Sequence, residues 1–161
     1  MSTQDLGLLD AIQIAMEAEQ KAAAFYADAA EKTANPAGRG LFQQLVEFER
    51  YHYQKLAALL KSLRDKGAFI KYEGRDPLVP VPHDIKTTED PSKMSMMQII
   101  TVAIETERAA EDRYTALATQ TANPEGHAMF RKLAEEEHGH YRVLSDVYWN
   151  LNNRGTVNWS K

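Results

Sequence analysis

The chain carries the same pattern of carboxylate and imidazole side chains twice, at a constant distance in sequence. Three residues of the first half recur 88 positions later, namely Glu19, Glu49 and His52 as Glu107, Glu137 and His140. In each half the second glutamate and the histidine form a Glu-x-x-His motif, whose two side chains leave a helix on one face. One glutamate and one such motif from each half make the ligand set with which a helical bundle binds a pair of metal ions. The repeat therefore predicts both a fold and a dinuclear metal site.

The repeat extends beyond these six residues. The segment TANP at 33–36 recurs at 121–124, and matching aromatic and leucine positions flank both motifs without a gap in the alignment. Apolar residues return at three- and four-residue steps along four segments, which indicates amphipathic helices. A duplicated helical hairpin is the simplest interpretation.

We predict an all-α, ferritin-like four-helix bundle in a single domain, built from two duplicated helical hairpins joined by a long crossover. The Asn-Pro pairs at 35–36 and 123–124 separate the helices of each hairpin, because proline favours the first turn of a helix. The predicted boundaries are a hairpin over 5–66, an extended crossover over 67–91, a second hairpin over 92–153 and a C-terminal tail over 154–161.

The crossover is long enough to run the length of the bundle. A helix of about 30 residues is roughly 45 Å long, and an extended chain covers that distance in about 14 residues. The second and third helices can therefore lie parallel, as in single-crossover bundles. A domain-swapped dimer is the alternative use of the same length.

Two of four duplicated acids on the first and third helices are predicted to face the core. Glu19 and Glu107 each share a helical stripe with isoleucine, alanine and tyrosine residues, whereas Glu17 and Glu105 share theirs with polar residues. Six buried ionisable groups without a metal would be unfavourable, since an unpaired buried carboxylate loses several kcal/mol of solvation. A metal centre is therefore the preferred interpretation over a buried network of ion pairs.

Three further residues are candidates for the site. Glu111 stands one turn after Glu107 and is either a seventh ligand or an acid at the rim. Tyr26 and Tyr114 follow the first glutamate of each half by two turns and are candidates to hydrogen-bond ligand carboxylates, although core tyrosines often lack such a role.

A rival motif occurs in the second half. Glu135-x-x-His138 has Glu47-x-x-Arg50 as its counterpart in the first half, and arginine cannot bind a metal. We therefore predict that Glu135 and His138 lie on the surface.

Composition excludes several classes of protein. The net charge of −4, from 19 basic and 23 acidic residues, argues against nucleic acid as a partner. No apolar run approaches the roughly 18 residues of a membrane span, so we expect no membrane partner and a cytoplasmic protein. The absence of cysteine excludes disulfides and Cys-ligated iron or zinc, and the remaining carboxylate and imidazole ligands suit iron, with manganese or zinc as substitutes.

With Glu-x6-Tyr, Glu-x-x-His and their duplicates in place, the chain resembles the ferritin-like superfamily and is most similar to its rubrerythrin group. The resemblance covers nearly the whole chain. It implies a non-haem di-iron centre with two Fe ions per chain, in which Glu49 and Glu137 bridge the metals, His52 and His140 each cap one, and Glu19 and Glu107 are terminal ligands. Rubrerythrins carry an extra glutamate on the third helix, and Glu111 falls one residue later than that pattern.

The resemblance also implies an activity. We expect a di-iron oxidoreductase that reduces hydrogen peroxide and serves against oxidative stress. Typical rubrerythrins end in a Cys-ligated rubredoxin domain, which this cysteine-free chain lacks, so electrons are expected from an external donor protein or from ferrous iron. Two alternatives are a ferroxidase that handles iron with dioxygen and a non-catalytic metal-binding bundle. A homodimer is the expected assembly.

Overall fold

Four long helices account for most of the protein. The computed structural model describes residues 3–78, 85–86, 92–153 and 156–157. The helices are α1 (Thr3–Lys32), α2 (Pro36–Lys66), α3 (Ser92–Gln120) and α4 (Pro124–Asn153). Two short strands, β1 (Ile85–Lys86) and β2 (Thr156–Val157), pair antiparallel and join the crossover to the tail after α4. The predicted all-α bundle of two hairpins is confirmed, with this two-residue pairing as an addition.

The repeated Asn-Pro sequence makes the same turn in both hairpins. The side-chain oxygen of Asn35 accepts hydrogen bonds from two backbone N–H groups of the first turn of α2, the closer at 2.9 Å. Asn123 caps α4 in the same way, accepting a hydrogen bond of 3.0 Å from the N–H of Gly126. Such caps satisfy backbone donors that the helix itself leaves unpaired. Gly67 ends α2 with a φ of 66°, a left-handed conformation that glycine adopts without strain.

The crossover runs along α4 in the direction of that helix. Phe69 lies beside the first turn of α4, Tyr72 hydrogen-bonds Glu136 near its middle, and Leu78 shares a cavity wall with Val143 further along. The chain therefore leaves the end of α2 beside the start of α4 and travels towards the far end of the bundle. Because α3 is antiparallel to α4 within its hairpin, α2 and α3 are parallel, as a single crossover requires.

The apolar core is divided into two clusters that are related by the repeat. One contains Tyr26, Phe42, Leu45, Ile100 and Leu144, and the other contains their counterparts Tyr114, Phe130, Leu133, Ile12 and Leu56. All ten side chains are fully or almost fully buried. Between these clusters, midway along the helices, lie the buried acids and histidines.

No helix in the described ranges is both long and apolar enough to cross a membrane. The homodimer and the domain-swapped alternative stay predictions.

Candidate metal centre

The structure brings the six duplicated acids and histidines together inside the bundle. Each helix of a hairpin contributes from its middle, α1 and α3 with one glutamate and α2 and α4 with a Glu-x-x-His pair. At most 3% of the surface of any of them is exposed, for Glu19, Glu49, His52, Glu107, Glu137 and His140 alike. Glutamate is almost never buried to this extent without a partner, so their convergence requires a chemical explanation.

These side chains form two overlapping groups. Glu19 and His52 belong to one group and Glu107 and His140 to the other, and each group offers four ligand atoms within 4.8 Å of one another. Glu49 and Glu137 belong to both. Each group has the size and composition of a four-ligand metal site, and the shared carboxylates would be available to both ions of a metal pair.

Both histidines present the same ring nitrogen to the carboxylates. Nδ1 of His52 lies 2.7 Å from Oε1 of Glu137 and 3.6 Å from Oε1 of Glu19. Nδ1 of His140 lies 3.5 Å from Oε2 of Glu107 and between 3.7 and 3.8 Å from the two shared glutamates. Nδ1 is therefore the nitrogen that each ring would offer to a cation in the cluster.

Many polar atoms of the cluster lack a well-aligned hydrogen bond. Among the described residues they are Glu19 Oε2, Glu49 Oε1, both ring nitrogens of His52, Glu107 Oε2, both carboxylate oxygens of Glu137, and Nδ1 of His140. Buried polar atoms are nearly always satisfied in folded proteins. Oxygen and nitrogen atoms left unsatisfied in one place fit divalent cations, since coordination would satisfy them together.

The environment of the two shared glutamates favours their protonated forms when no metal is bound. Burial, followed by repulsion from the neighbouring carboxylates, raises the pKa of Glu137 to about 8 and that of Glu49 well above its usual range. Burial alone would also raise the pKa of Glu19 and Glu107, but hydrogen bonds and the nearby histidines outweigh it. The pKa of Glu19 is lowered, and that of Glu107 falls to about 2.

The protonated forms of the two histidines are favoured as well. Burial alone would lower the pKa of each ring, because it disfavours the charged form. The surrounding carboxylates outweigh burial, raising the pKa of His140 to about 9 and that of His52 well above its ordinary value. The metal-free cluster is therefore held together by protons that a metal would have to displace.

Two buried tyrosines link the hairpins through the outer glutamates. The hydroxyl of Tyr26 on α1 donates a hydrogen bond of 2.6 Å to Oε1 of Glu107 on α3, and Tyr114 on α3 donates to Glu19 on α1. Burial, and then the nearby carboxylates, raise the pKa of both hydroxyls well above the usual value. They therefore remain protonated and continue to donate, which fixes the orientation of both carboxylates.

The remaining candidates lie outside the cluster. Glu17, Glu105 and Glu135 are exposed, in agreement with the sequence patterns. Glu111 belongs to neither four-residue group, and its carboxylate lies 3.1 Å from Nδ1 of the partly exposed His138. Of the two interpretations of Glu111, its position corresponds to the acid at the rim.

Glu136 is a neighbour of the cluster that sequence reasoning missed. Its Oε1 lies 3.3 Å from Nε2 of His52, on the side of the ring that faces away from the other carboxylates. Tyr72 donates a hydrogen bond to it, and so does the backbone N–H of Arg75 at 2.9 Å. The repeat could not reveal Glu136, because its counterpart in the first half is Phe48.

A cavity between α1 and α3 reaches the cluster from outside. Its volume is about 340 Å³, and all four glutamates of the cluster line it. Its wall includes Ala22 and Ala110, which stand one turn after the outer glutamates of α1 and α3, together with Lys21 and Arg113. Small side chains at these two positions leave space beside the carboxylates for a molecule of a few atoms.

Comparison with known proteins agrees with this site. A sequence profile of the rubrerythrin family matches residues 1–60 and 98–158. A solved hypothetical protein from Pyrococcus furiosus is similar in structure, with a TM-score of 0.72, 28% sequence identity and coverage of 94% of each chain. No protein among those with curated descriptions matches. The profile covers both copies of the repeat and therefore all six residues of the cluster.

Proposed function

Because the chain belongs to the rubrerythrin family, we propose that it is a non-haem di-iron oxidoreductase that reduces hydrogen peroxide with electrons from an external donor. The observation that carries this proposal is the sharing of Glu49 and Glu137 between two buried four-residue groups. We infer that the chain holds two iron ions, with manganese or zinc able to substitute. The outer ligands would be Glu19 with His52 for one ion and Glu107 with His140 for the other.

Charge supports two divalent ions at this position. Four ionised glutamates and two neutral histidines carry four negative charges, which two divalent cations balance. A bound ferrous pair would supply two electrons to peroxide, whose O–O bond breaks to give two water molecules with the uptake of two protons. The chain itself supplies fixed ligands, charge balance and a mostly buried site.

The tyrosines and the cavity assign further roles to this chain. Tyr26 and Tyr114 hold the outer carboxylates by hydrogen bonds, which limits how far those ligands move when the charge of the centre changes. The cavity between α1 and α3 gives a small oxidant a route to the four glutamates. Peroxide and dioxygen are both small enough to use it, so kinetics must separate the two.

The residues present also indicate how the centre is reduced again after it has been oxidised. The sequence has no cysteine, so no Cys-ligated iron in this chain can return electrons to the centre. We infer that a separate donor protein reduces it between turnovers. Without that donor, each loaded centre should be oxidised once and then stop.

The test is stopped-flow oxidation of the anaerobic, ferrous-loaded protein. Hydrogen peroxide at equal concentration should oxidise the centre much faster than dioxygen, once per site. Sustained peroxide consumption should begin only after a rubredoxin and its reductase are added. Glu135→Ala should behave as the wild type, while Glu137→Ala should lose the reaction. Faster oxidation by dioxygen, with ferric iron accumulating beyond two ions per chain, would establish the ferroxidase alternative instead.

A further inference from the structure

The two histidines of the cluster have different neighbours although the six central residues repeat. The residue that precedes the shared glutamate is Glu136 in α4 and Phe48 in α2, and the two positions are equivalent in the repeat. Glu136 faces His52, whereas the ring of Phe48 packs edge-on against His140 with 4.4 Å between ring centroids. His52 thus has a carboxylate beside its Nε2 atom, whereas His140 has the phenyl ring of Phe48 packed against it.

Glu136 is held in place by the crossover. Its side chain is only 7% exposed. Tyr72 donates to Oε1 and the backbone N–H of Arg75 donates to Oε2 at 2.9 Å, so both oxygens are anchored. The Arg75 guanidinium is directed to Glu47, at 3.1 Å. The Oε1 atom is therefore fixed beside Nε2 of His52, close enough for a hydrogen bond after a small rotation of either side chain.

This placement has a consequence for metal binding. A histidine that binds a metal through Nδ1 carries its proton on Nε2. A carboxylate that accepts a hydrogen bond from this N–H group orients the ring and makes it a stronger ligand. Phe48 can orient His140 by packing but offers no carboxylate to accept a hydrogen bond from its ring. The two half-sites therefore have the same ligand types but unequal support.

We propose that Glu136 is a positioning residue that accepts a hydrogen bond from the Nε2–H of His52 and makes the half-site of His52 the tighter of the two. The inference rests on the metal centre of the proposed function, but it is independent of the reaction with peroxide. Loss of such a partner weakens metal binding by about 10- to 100-fold.

The first test is calorimetric titration of the metal-free protein with zinc. The wild type should bind two ions in two steps of different affinity. Glu136→Ala should weaken the first step by about 10- to 100-fold and bring the two steps together. Glu135→Ala removes the same charge from the adjacent exposed position and should leave both steps unchanged. Equal weakening of both steps by Glu136→Ala, or no weakening, would overturn the proposal.

The second test observes the histidine rings directly. In the zinc-loaded protein with ¹⁵N-labelled histidine, long-range ¹H–¹⁵N spectra should show His52 bound through Nδ1, with a slowly exchanging proton on Nε2. Glu136→Ala should accelerate that exchange and leave the His140 signals in place, a selectivity that general destabilisation would not produce. If this variant does not fold, Glu136→Gln removes the charge while keeping the shape and should shift the same signals.

The outcomes separate the two proposals. A wild-type protein that binds no zinc would remove the metal centre, and the proposed function with it. Selective loss at His52 in a protein that does not react with peroxide would leave this inference intact and overturn only the peroxide reaction. Unchanged His52 signals in both Glu136 variants would refute the role of Glu136 alone.

Discussion

Loading the metal-free protein with two divalent ions should release about two to four protons near neutral pH. In the metal-free cluster the pKa of Glu137 is about 8 and that of His140 is about 9, and those of Glu49 and His52 lie well above their usual values. Glu137 and His140 are therefore protonated at pH 7, and the environment of Glu49 and His52 favours their protonated forms. Metal ligands must be deprotonated, so each of these residues has to give up its proton when the metal binds.

Charge balance leads to the upper number. Glu19 and Glu107 remain ionised in the metal-free protein because their pKa values are lowered, the second to about 2. With the other two glutamates and both histidines protonated, two carboxylates and two imidazolium rings make that cluster neutral. The metal-loaded cluster is also neutral, with four carboxylates, two neutral rings and two divalent ions. Replacing protons by metal at constant charge exchanges about two protons for each ion.

The same protons make the stability of the metal-free protein depend on pH. Between pH 4.5 and about pH 8, Glu137 is protonated in the folded state and ionised in the unfolded chain. Between pH 6.5 and about pH 9, His140 is likewise protonated in the folded state and neutral in the unfolded chain. The folded state therefore binds more protons, and stability falls as the pH rises, by about 1.4 kcal/mol per pH unit for each excess proton. Glu107 has the opposite effect, contributing stability above 4.5 that is lost as the pH falls towards 2. The metal-free protein should be most stable in mildly acidic solution.

The assay is calorimetric zinc binding at pH 7 in buffers of different ionisation enthalpy, where the slope of the observed enthalpy gives the protons released. Glu135→Gln is the control, because it removes an exposed charge outside the cluster and should release the same number. Thermal unfolding of the metal-free protein across pH 5 to 9 tests the linked stability. Release of less than about one proton per ion, or stability that rises with pH in this range, would contradict the raised pKa values of Glu137 and His140.

Five substitutions test other parts of the structure, two of them as matched controls. Glu137→Ala should abolish iron binding measured by elemental analysis, while Glu135→Ala should bind as the wild type; equal binding by the two variants would contradict a metal site at Glu137 and His140. Tyr114→Phe should lower the free energy of unfolding by about 1.5 to 3 kcal/mol in denaturant titrations, since a buried, ionised carboxylate loses its donor; an unchanged value would show that this hydrogen bond contributes nothing. Gly126→Ala should destabilise by about 1 to 3 kcal/mol, because the added carbon meets an aromatic ring of the crossover and a threonine methyl at 2.8 Å. A carbon added by Gly139→Ala meets nothing within 4 Å apart from the backbone of its own helix, so this substitution should be neutral or stabilising by up to about 1 kcal/mol. A larger loss of stability in Gly139→Ala than in Gly126→Ala would contradict the packing.

The sequence allows the features shared by the two halves to be predicted, because each half serves as a control for the other. The Asn-Pro turns and the buried acids Glu19 and Glu107 follow from repeated patterns on four helices. The sequence does not show which carboxylate each tyrosine contacts. Tyr26 follows Glu19 by seven residues, a rise of about 10.5 Å along the helix, which is too far for a hydrogen bond between them. The hydroxyl instead reaches Glu107 of the other hairpin, a contact that depends on how the hairpins pack.

Differences between the halves could not be interpreted in the same way. Glu136 has phenylalanine as its counterpart, and its partners Tyr72 and Arg75 belong to the crossover, which occurs only once in the chain. Its role therefore depends on the path of an irregular segment, which no periodicity predicts. Glu111 likewise has alanine as its counterpart, and it pairs with a histidine outside the cluster. In a duplicated metal site the shared residues specify the ligands. Any functional difference between the two ions must arise at positions where the copies diverge, and among the residues around this cluster the Glu136 and Phe48 pair meets that condition most directly.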